Sequence, residues 1–190
     1  MGIKRGIIQS RGLGDIIIAL PIAKWYHDRG DEIYWPICEE FLGSVKDTAP
    51  WVNWISVKTD QQGRFFYDEP IKLLQQAGVD LDETLYLYQY LSSMPELTDP
   101  EMFSILKFDQ YKYWTAGVPF TQKWTLADCI TRDTKKESAL AKKLKLPKKY
   151  GILHRTGSNC KVEFDMAMFA DLGIKTWIDV DDYQTDCIFD

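Results

Sequence analysis

Apolar and polar positions along this chain switch repeatedly between two periods. Ile3 to Gln9, IKRGIIQ, is a short run with β-branched side chains that stops at a glycine-bearing turn, and it predicts a strand. From Asp15 the spacing changes. Ile16, Ile17, Leu20, Ala23 and Trp25 suit a helix of about four turns stopped by Gly30, with Pro21 inside it, where a kink is expected. DEIYWPICEEF then reads as a strand with turn or helix signals behind it, VNWISVKT as a third strand, Pro70 to Ala77 as a helix, and TLYLYQY as an aromatic strand. MFSILKFDQYKYWTAGVPF reads as one helix ending at Gly117, ahead of Pro119. Lys135 to Lys149, KKESALAKKLKLPKK, has the spacing of an amphipathic helix with a solvated basic face, ending at Leu146. Pro147 marks a linker. Beyond it Gly151 to His154 is a strand, RTGSN a loop, FDMAMFADLG a helix and KTWIDV a strand.

Strands and helices alternating through short connections predict a parallel sheet covered by helices. The expected fold is therefore α/β: a Rossmann-like parallel sheet flanked by helices over residues 1–147, then the start of a second Rossmann-like unit over 148–190. A length of 190 residues suits one substantial core, or one domain plus part of a second. No internal repeat and no low-complexity stretch interrupts the pattern.

Composition narrows the function classes. No run of about 18 apolar residues exists to span a membrane, and MGIKRGIIQ lacks the apolar core and cleavage site of a signal peptide, so a cytoplasmic location is expected. Cys38, Cys129, Cys160 and Cys187 lack CxxC spacing, and His27 and His154 are the only histidines, so free thiols and no zinc site are expected. A net charge of -5 argues against a broad nucleic-acid surface. The terminal Asp179, Asp181, Asp182, Asp186 and Asp190 read as a solvated acidic loop rather than a divalent-ion site. The aromatic runs YLYQYL and YKYW read as core, with sugar-stacking faces as the alternative.

The candidate chemistry gathers in SRGLGD, between the first strand and the first helix. Gly12 and Gly14 permit positive φ and close approach of a ligand to the backbone. Arg11 offers a fork of donors to an anion, and Asp15 falls at the N-cap or first turn of the helix. Asp15 is then either a helix cap or a base at a cleft edge, and the two roles can coexist. A dinucleotide fingerprint is incomplete, because GLGDII lacks the third glycine and EIYWPI ends without an acidic residue. In the second unit Arg155 stays charged and can bind a phosphate bidentately. His154 is a strand-end histidine or a donor contact, and His27, near a helix C-terminus, reads as structural.

GLGDIIIALPIAKWYHDRGDEIYW resembles the opening of the heptosyltransferase family, glycosyltransferases of the two-Rossmann-domain (GT-B) type that act on lipopolysaccharide cores. YGILHRTGSNCK is similar to the strand and phosphate-binding loop that open the family's donor domain. The resemblance implies inverting transfer of a hexosyl- or heptosyl-type sugar from a nucleotide-sugar to an acceptor hydroxyl on a glycan or another molecule. It implies Asp15 as the general base, with Arg11, Gly12 and Gly14 at the acceptor, and places Thr156, Ser158 and Lys161, beside Arg155, at the donor pyrophosphate. It implies no metal and no cofactor beyond the nucleotide-sugar substrate. The chain departs from the family in carrying only 148–190 of the second domain, so later acidic donor-binding residues have no counterpart. A naturally short form and a truncated enzyme are both open. The alternative is a non-catalytic module that binds a nucleotide or sugar phosphate, a degenerate transferase remnant. A homodimer is the arrangement that would supply a second lobe.

Overall fold

Successive residues of KRGII face opposite sides of a sheet, and both sides are apolar here. Ile7 and Ile8 are each fully buried, in two different clusters. A strand apolar on both faces belongs inside a sheet covered by helices on each side. The computed structural model describes residues 2–88, 99–155 and 161–179 and has this architecture. The chain divides into two units, Met1–Thr131 and Arg132–Asp190.

The first unit runs β1 (Lys4–Ile8), α1 (Leu13–His27), β2 (Glu32–Cys38), α2 (Glu39–Val45), β3 (Asn53–Val57), α3 (Asp68–Gln76), β4 (Thr84–Tyr86), α4 (Pro100–Ile105), α5 (Phe108–Thr115) and α6 (Leu126–Cys129). Its four strands are all parallel, in the order β3-β2-β1-β4. Gly6 lies opposite both Tyr34 and Thr84. A Cβ at Gly6 would lie 2.6 Å from Thr84 Oγ1 and 2.9 Å from Leu74 Cδ1, so glycine lets β4 and α3 close on β1.

One face packs Ile7, Ile33, Trp35 and Ile37 with Ile16, Ala19, Leu20 and Ala23 of α1, Tyr113 of α5 and Cys129 of α6. The other packs Ile8 with Leu74 of α3, Tyr67, Val79 and Tyr88, and sets Cys38 and Val57 beside Phe65. The expected α/β sheet flanked by helices is therefore present.

Three local expectations need correction. The first helix begins at Leu13, two residues before Asp15, and continues through Pro21, whose ring is buried, to His27. The single helix expected over residues 102–117 is two. Leu106 is extended (ψ 146°), and the Lys107 N–H donates to Gln110 Oε1 (3.1 Å) to start α5. Gly117, at φ 63°, stands just past the end of α5, where a left-handed residue ends a helix at least cost. Finally, FDMAMFADLG forms a 3₁₀ turn, Met166–Leu172. The aromatic runs pack mostly as core, with Tyr88, Tyr111 and Tyr113 buried and Trp114 45% exposed; residues 89–91 of YLYQYL lie outside the described residues. His27 stacks on Trp51, with ring centroids 5.1 Å apart.

This core makes the fold sensitive to alkali. Cys38 and Cys129 are free, buried thiols. Burial pushes each up from the ordinary 9.0 to about 11, and it pushes the Tyr88 phenol up to about 12 and those of Tyr67 and Tyr113 higher still. Above pH 9 the unfolded chain releases thiol protons that the folded chain keeps, so stability falls as pH rises from the unfolded value toward the folded one. At one pKa unit per 1.36 kcal/mol, each thiol contributes a loss of roughly 2–3 kcal/mol by about pH 11. Urea denaturation should give a plateau near pH 7–8 and a decline above pH 9; a midpoint constant to pH 11 would contradict this account.

The second unit holds α7 (Thr134–Lys143), β5 (Gly151–Leu153), the 3₁₀ turn and β6 (Trp177–Asp179). Asp133 caps α7 by accepting from the Lys135 and Lys136 amides, each at 3.0 Å. No residue of α7 is buried, as its solvated basic pattern implies. Strands β5 and β6 pair in parallel, Gly151 opposite Trp177, and the backbone at Gly151 lies against the Trp177 ring.

Candidate functional site

The order β3-β2-β1-β4 contains a reversal: from β1 the chain builds outward through β2 to β3, then returns to the other side of β1 as β4. Loops leaving two neighbouring strands on either side of such a reversal diverge, and a crevice opens at the strands' carboxyl ends. Here those loops are residues 9–12 after β1, running into the first turn of α1, and Leu87–Tyr88 after β4.

Polar groups under the β1 loop are buried and therefore paired. Ser10 is fully buried; its hydroxyl donates its one hydrogen to Phe65 O (2.5 Å) and so accepts from the Tyr88 hydroxyl (2.8 Å). Tyr88 in turn accepts from the Arg11 amide (2.8 Å). The chain of bonds therefore has one direction, from Arg11 N–H through Tyr88 and Ser10 to Phe65. Gln9, 1% exposed, donates from Nε2 to Arg11 O (2.8 Å), and its own carbonyl accepts from Trp35 Nε1 (3.1 Å).

Above this floor the turn is set by glycine. Gly12 has φ 85° and ψ 95°, is the N-cap of α1, and accepts at its carbonyl from the Ile16 amide (2.9 Å). No side chain caps α1, so the helix-cap reading of Asp15 is replaced. Asp15 sits in the first turn, side chain 39% exposed, where the partial positive charge of a helix start favours a carboxylate. A Cβ on Gly12 would lie 2.6 Å from Asp15 Oδ2. The expected positive φ holds at Gly12 but not at Gly14, which is helical, exposed and has open space where a side chain would be. Arg11 is exposed, its guanidinium 5.2 Å from the Phe65 ring centroid.

The residue that sequence reading missed is Lys112. Its side chain, 2% exposed, comes from α5, and its ammonium reaches Gln9 Oε1 (2.5 Å), Leu87 O (3.0 Å) and Asp15 Oδ1 (3.1 Å). Burial lowers the lysine's pKa below the ordinary 10.5, while the Asp15 carboxylate pulls it back up. Within YKYW it looks like any helix lysine; the one hint is its place between two aromatics that proved to be buried.

In the second unit the Arg155 guanidinium pairs with Asp179 and lies 3.8 Å from Glu163. Lys161 is exposed, 4.0 Å from Glu163. Thr156 and Ser158 lie outside the described residues, as do Cys160, Cys187 and the aspartates beyond Asp179. Among the described residues no group of three or more His, Cys, Asp or Glu side chains is placed to hold a metal ion, and no helix is long and apolar enough to cross a membrane.

No family model matches the sequence, and no curated protein matches it. Among solved structures, the chain is similar to one described as the crystal structure of the glycosyl transferase family 9 from Veillonella parvula DSM 2008. The TM-score is 0.49 and the identity 13%, with 92% of this chain and 62% of that chain covered. The chain thus spans less than two thirds of the length of that structure.

Proposed function

We propose that the chain is glycosyltransferase-like, with residues 1–147 as the acceptor domain and 148–190 as a donor-domain segment, and that Asp15 is its general base. One observation carries the reading: a carboxylate stands at the crevice of a parallel sheet, half exposed, with one oxygen held by a buried ammonium. That combination suits a group that must stay oriented while meeting substrate. In the reaction Asp15 takes the proton of an acceptor hydroxyl as its oxygen bonds to the anomeric carbon of a nucleotide-sugar. The bond to the diphosphate breaks with its electron pair, and the nucleoside diphosphate leaves with inversion in a single displacement. Arg11 and the backbone of Gly12 and Gly14 orient the acceptor; Arg155, Thr156, Ser158 and Lys161 are assigned to the diphosphate on the sequence resemblance.

A second reading is a module that binds a nucleotide or sugar phosphate without turnover. The pairing of Arg155 with Asp179 weighs on both readings alike, because a bound phosphate would have to compete with that carboxylate in either. A panel of ADP-, GDP- and UDP-linked sugars, scored by thermal shift and by donor hydrolysis, separates the two. The transferase reading expects one donor both to stabilise the protein and to be consumed, with stabilisation weakened in Lys161→Ala. Stabilisation without consumption, in the presence of simple sugar and glycan acceptors, would select the binding module. A chain that no donor stabilises would refute the transferase reading and leave the binding module to be tested with sugar phosphates.

A further inference from the structure

We propose that Lys112 is a positioning residue for the Asp15 base, fixing Oδ1 and leaving Oδ2 as the atom that accepts the proton; this rests on the transferase reading above. A lysine ammonium has three hydrogens and no acceptor. Three oxygens within reach take them: Gln9 Oε1, Leu87 O and Asp15 Oδ1. Two of these are neutral groups on the sheet's own strand ends, so the ammonium is located without help from the carboxylate it holds. Gln9 also donates to Arg11 O. Lys112 thus grips the turn by two routes, directly through Asp15 and indirectly through the Gln9 amide.

The pair is asymmetric in a way that a purely structural ion pair has no need to be. The cation is 2% exposed and the carboxylate 39%. Oδ1 faces the buried ammonium, and Oδ2 lies over Gly12, in space that any Cβ at position 12 would crowd to 2.6 Å. Glycine below and lysine behind leave one oxygen occupied and the other approachable. An acceptor hydroxyl meeting a carboxylate fixed in this way needs no reorientation of the base before proton transfer.

The test uses Lys112→Met, Asp15→Asn, the double variant and Gly12→Ala in the full chain, with Val45→Ala as a destabilised control from the buried side of α2. With the donor found by the panel, Lys112→Met should lower kcat about tenfold or more while KM for the donor stays within about twofold. Gly12→Ala should likewise lower kcat, and Val45→Ala should lose thermal stability with kcat retained. A folded Lys112→Met with unchanged kcat, or a loss confined to KM, would overturn the proposal; so would full activity in Gly12→Ala, which covers the case in which Lys112→Met fails to fold. If the wild-type chain turns over no donor, the transferase reading fails by itself, and the hold of Lys112 on Asp15 is judged from melting temperatures. Losses in the double variant smaller than the sum of the singles sustain it, and additive losses overturn it.

Discussion

On the proposed transferase reading, Asp15→Asn should reduce turnover of whichever nucleotide-sugar proves to be the donor by about 10²–10⁴-fold, the range that a positioned general base contributes, while donor-induced thermal stabilisation persists. Asparagine has nearly the same shape and keeps an oxygen that can accept from Lys112, so the turn has no steric reason to rearrange. It lacks the basicity to take a hydroxyl proton. The substitution also removes the negative charge that offsets burial of the Lys112 ammonium, so a modest loss of stability accompanies the loss of rate. Initial rates of donor consumption and product formation, set beside the shift in melting temperature with donor, decide the matter. Activity within about tenfold of wild type would remove Asp15 from the role of base, and loss of stabilisation along with rate would make it a binding group instead.

The largest effect on stability is expected at Trp35. Its side chain is fully buried at the centre of β2, stacks on Trp54 with ring centroids 5.2 Å apart, and donates from Nε1 to Gln9 O. Trp35→Ala opens a cavity in the sheet's main apolar face, for which large-to-small aromatic changes cost about 3–5 kcal/mol. It also leaves the Gln9 carbonyl without its indole donor, which adds to the cost. Trp54 is only partly buried, and Trp54→Ala should cost clearly less. Urea denaturation followed by far-UV circular dichroism measures both; equal losses in the two variants, or a loss below about 1 kcal/mol at Trp35, would contradict this ranking of the core. Because Gln9 also bears on Lys112, some of the Trp35 effect should reach the crevice.

The parts of the site legible in the sequence are those that local geometry dictates. The two apolar faces of KRGII announce a covered strand, and a glycine followed by an apolar helix announces the turn at its end. Gly12 needs its positive φ for reasons contained within four residues, including the carboxylate that leans over it. Asp15 was ambiguous because an acidic residue at a helix start is favourable whether or not it caps the helix. The cap reading falls because Gly12 is the N-cap of α1, and the group that engages the carboxylate lies on α5, far along the chain. Apart from its two aromatic neighbours, Lys112 carries no local mark of its burial, which depends on where β4 ends and on which way Gln9 faces. The break between α4 and α5 was missed for a milder reason: FSILKFDQYKYW keeps apolar residues coming at near-helical intervals across Leu106, and only the Gln110 side chain, turned back to the Lys107 amide, marks a fresh start.

The separation of these partners bears on how the protein is made. Gln9 and Lys112 are 103 positions apart in sequence, and β1 gains β4 as its second neighbour only after both helical crossovers between β1 and β3 and the connection through α3 have been traversed. On a ribosome adding residues from the N-terminus, the glycine turn and its aspartate emerge early, yet they stay without their buried cation until α5 has been synthesised and docked. Contacts of such range close late because the loop entropy must be met first. The crevice is therefore among the last parts of the first unit to acquire its native geometry. An unfinished chain carries Asp15 without its Lys112 partner, and that ion pair forms together with completion of the sheet's helical cover.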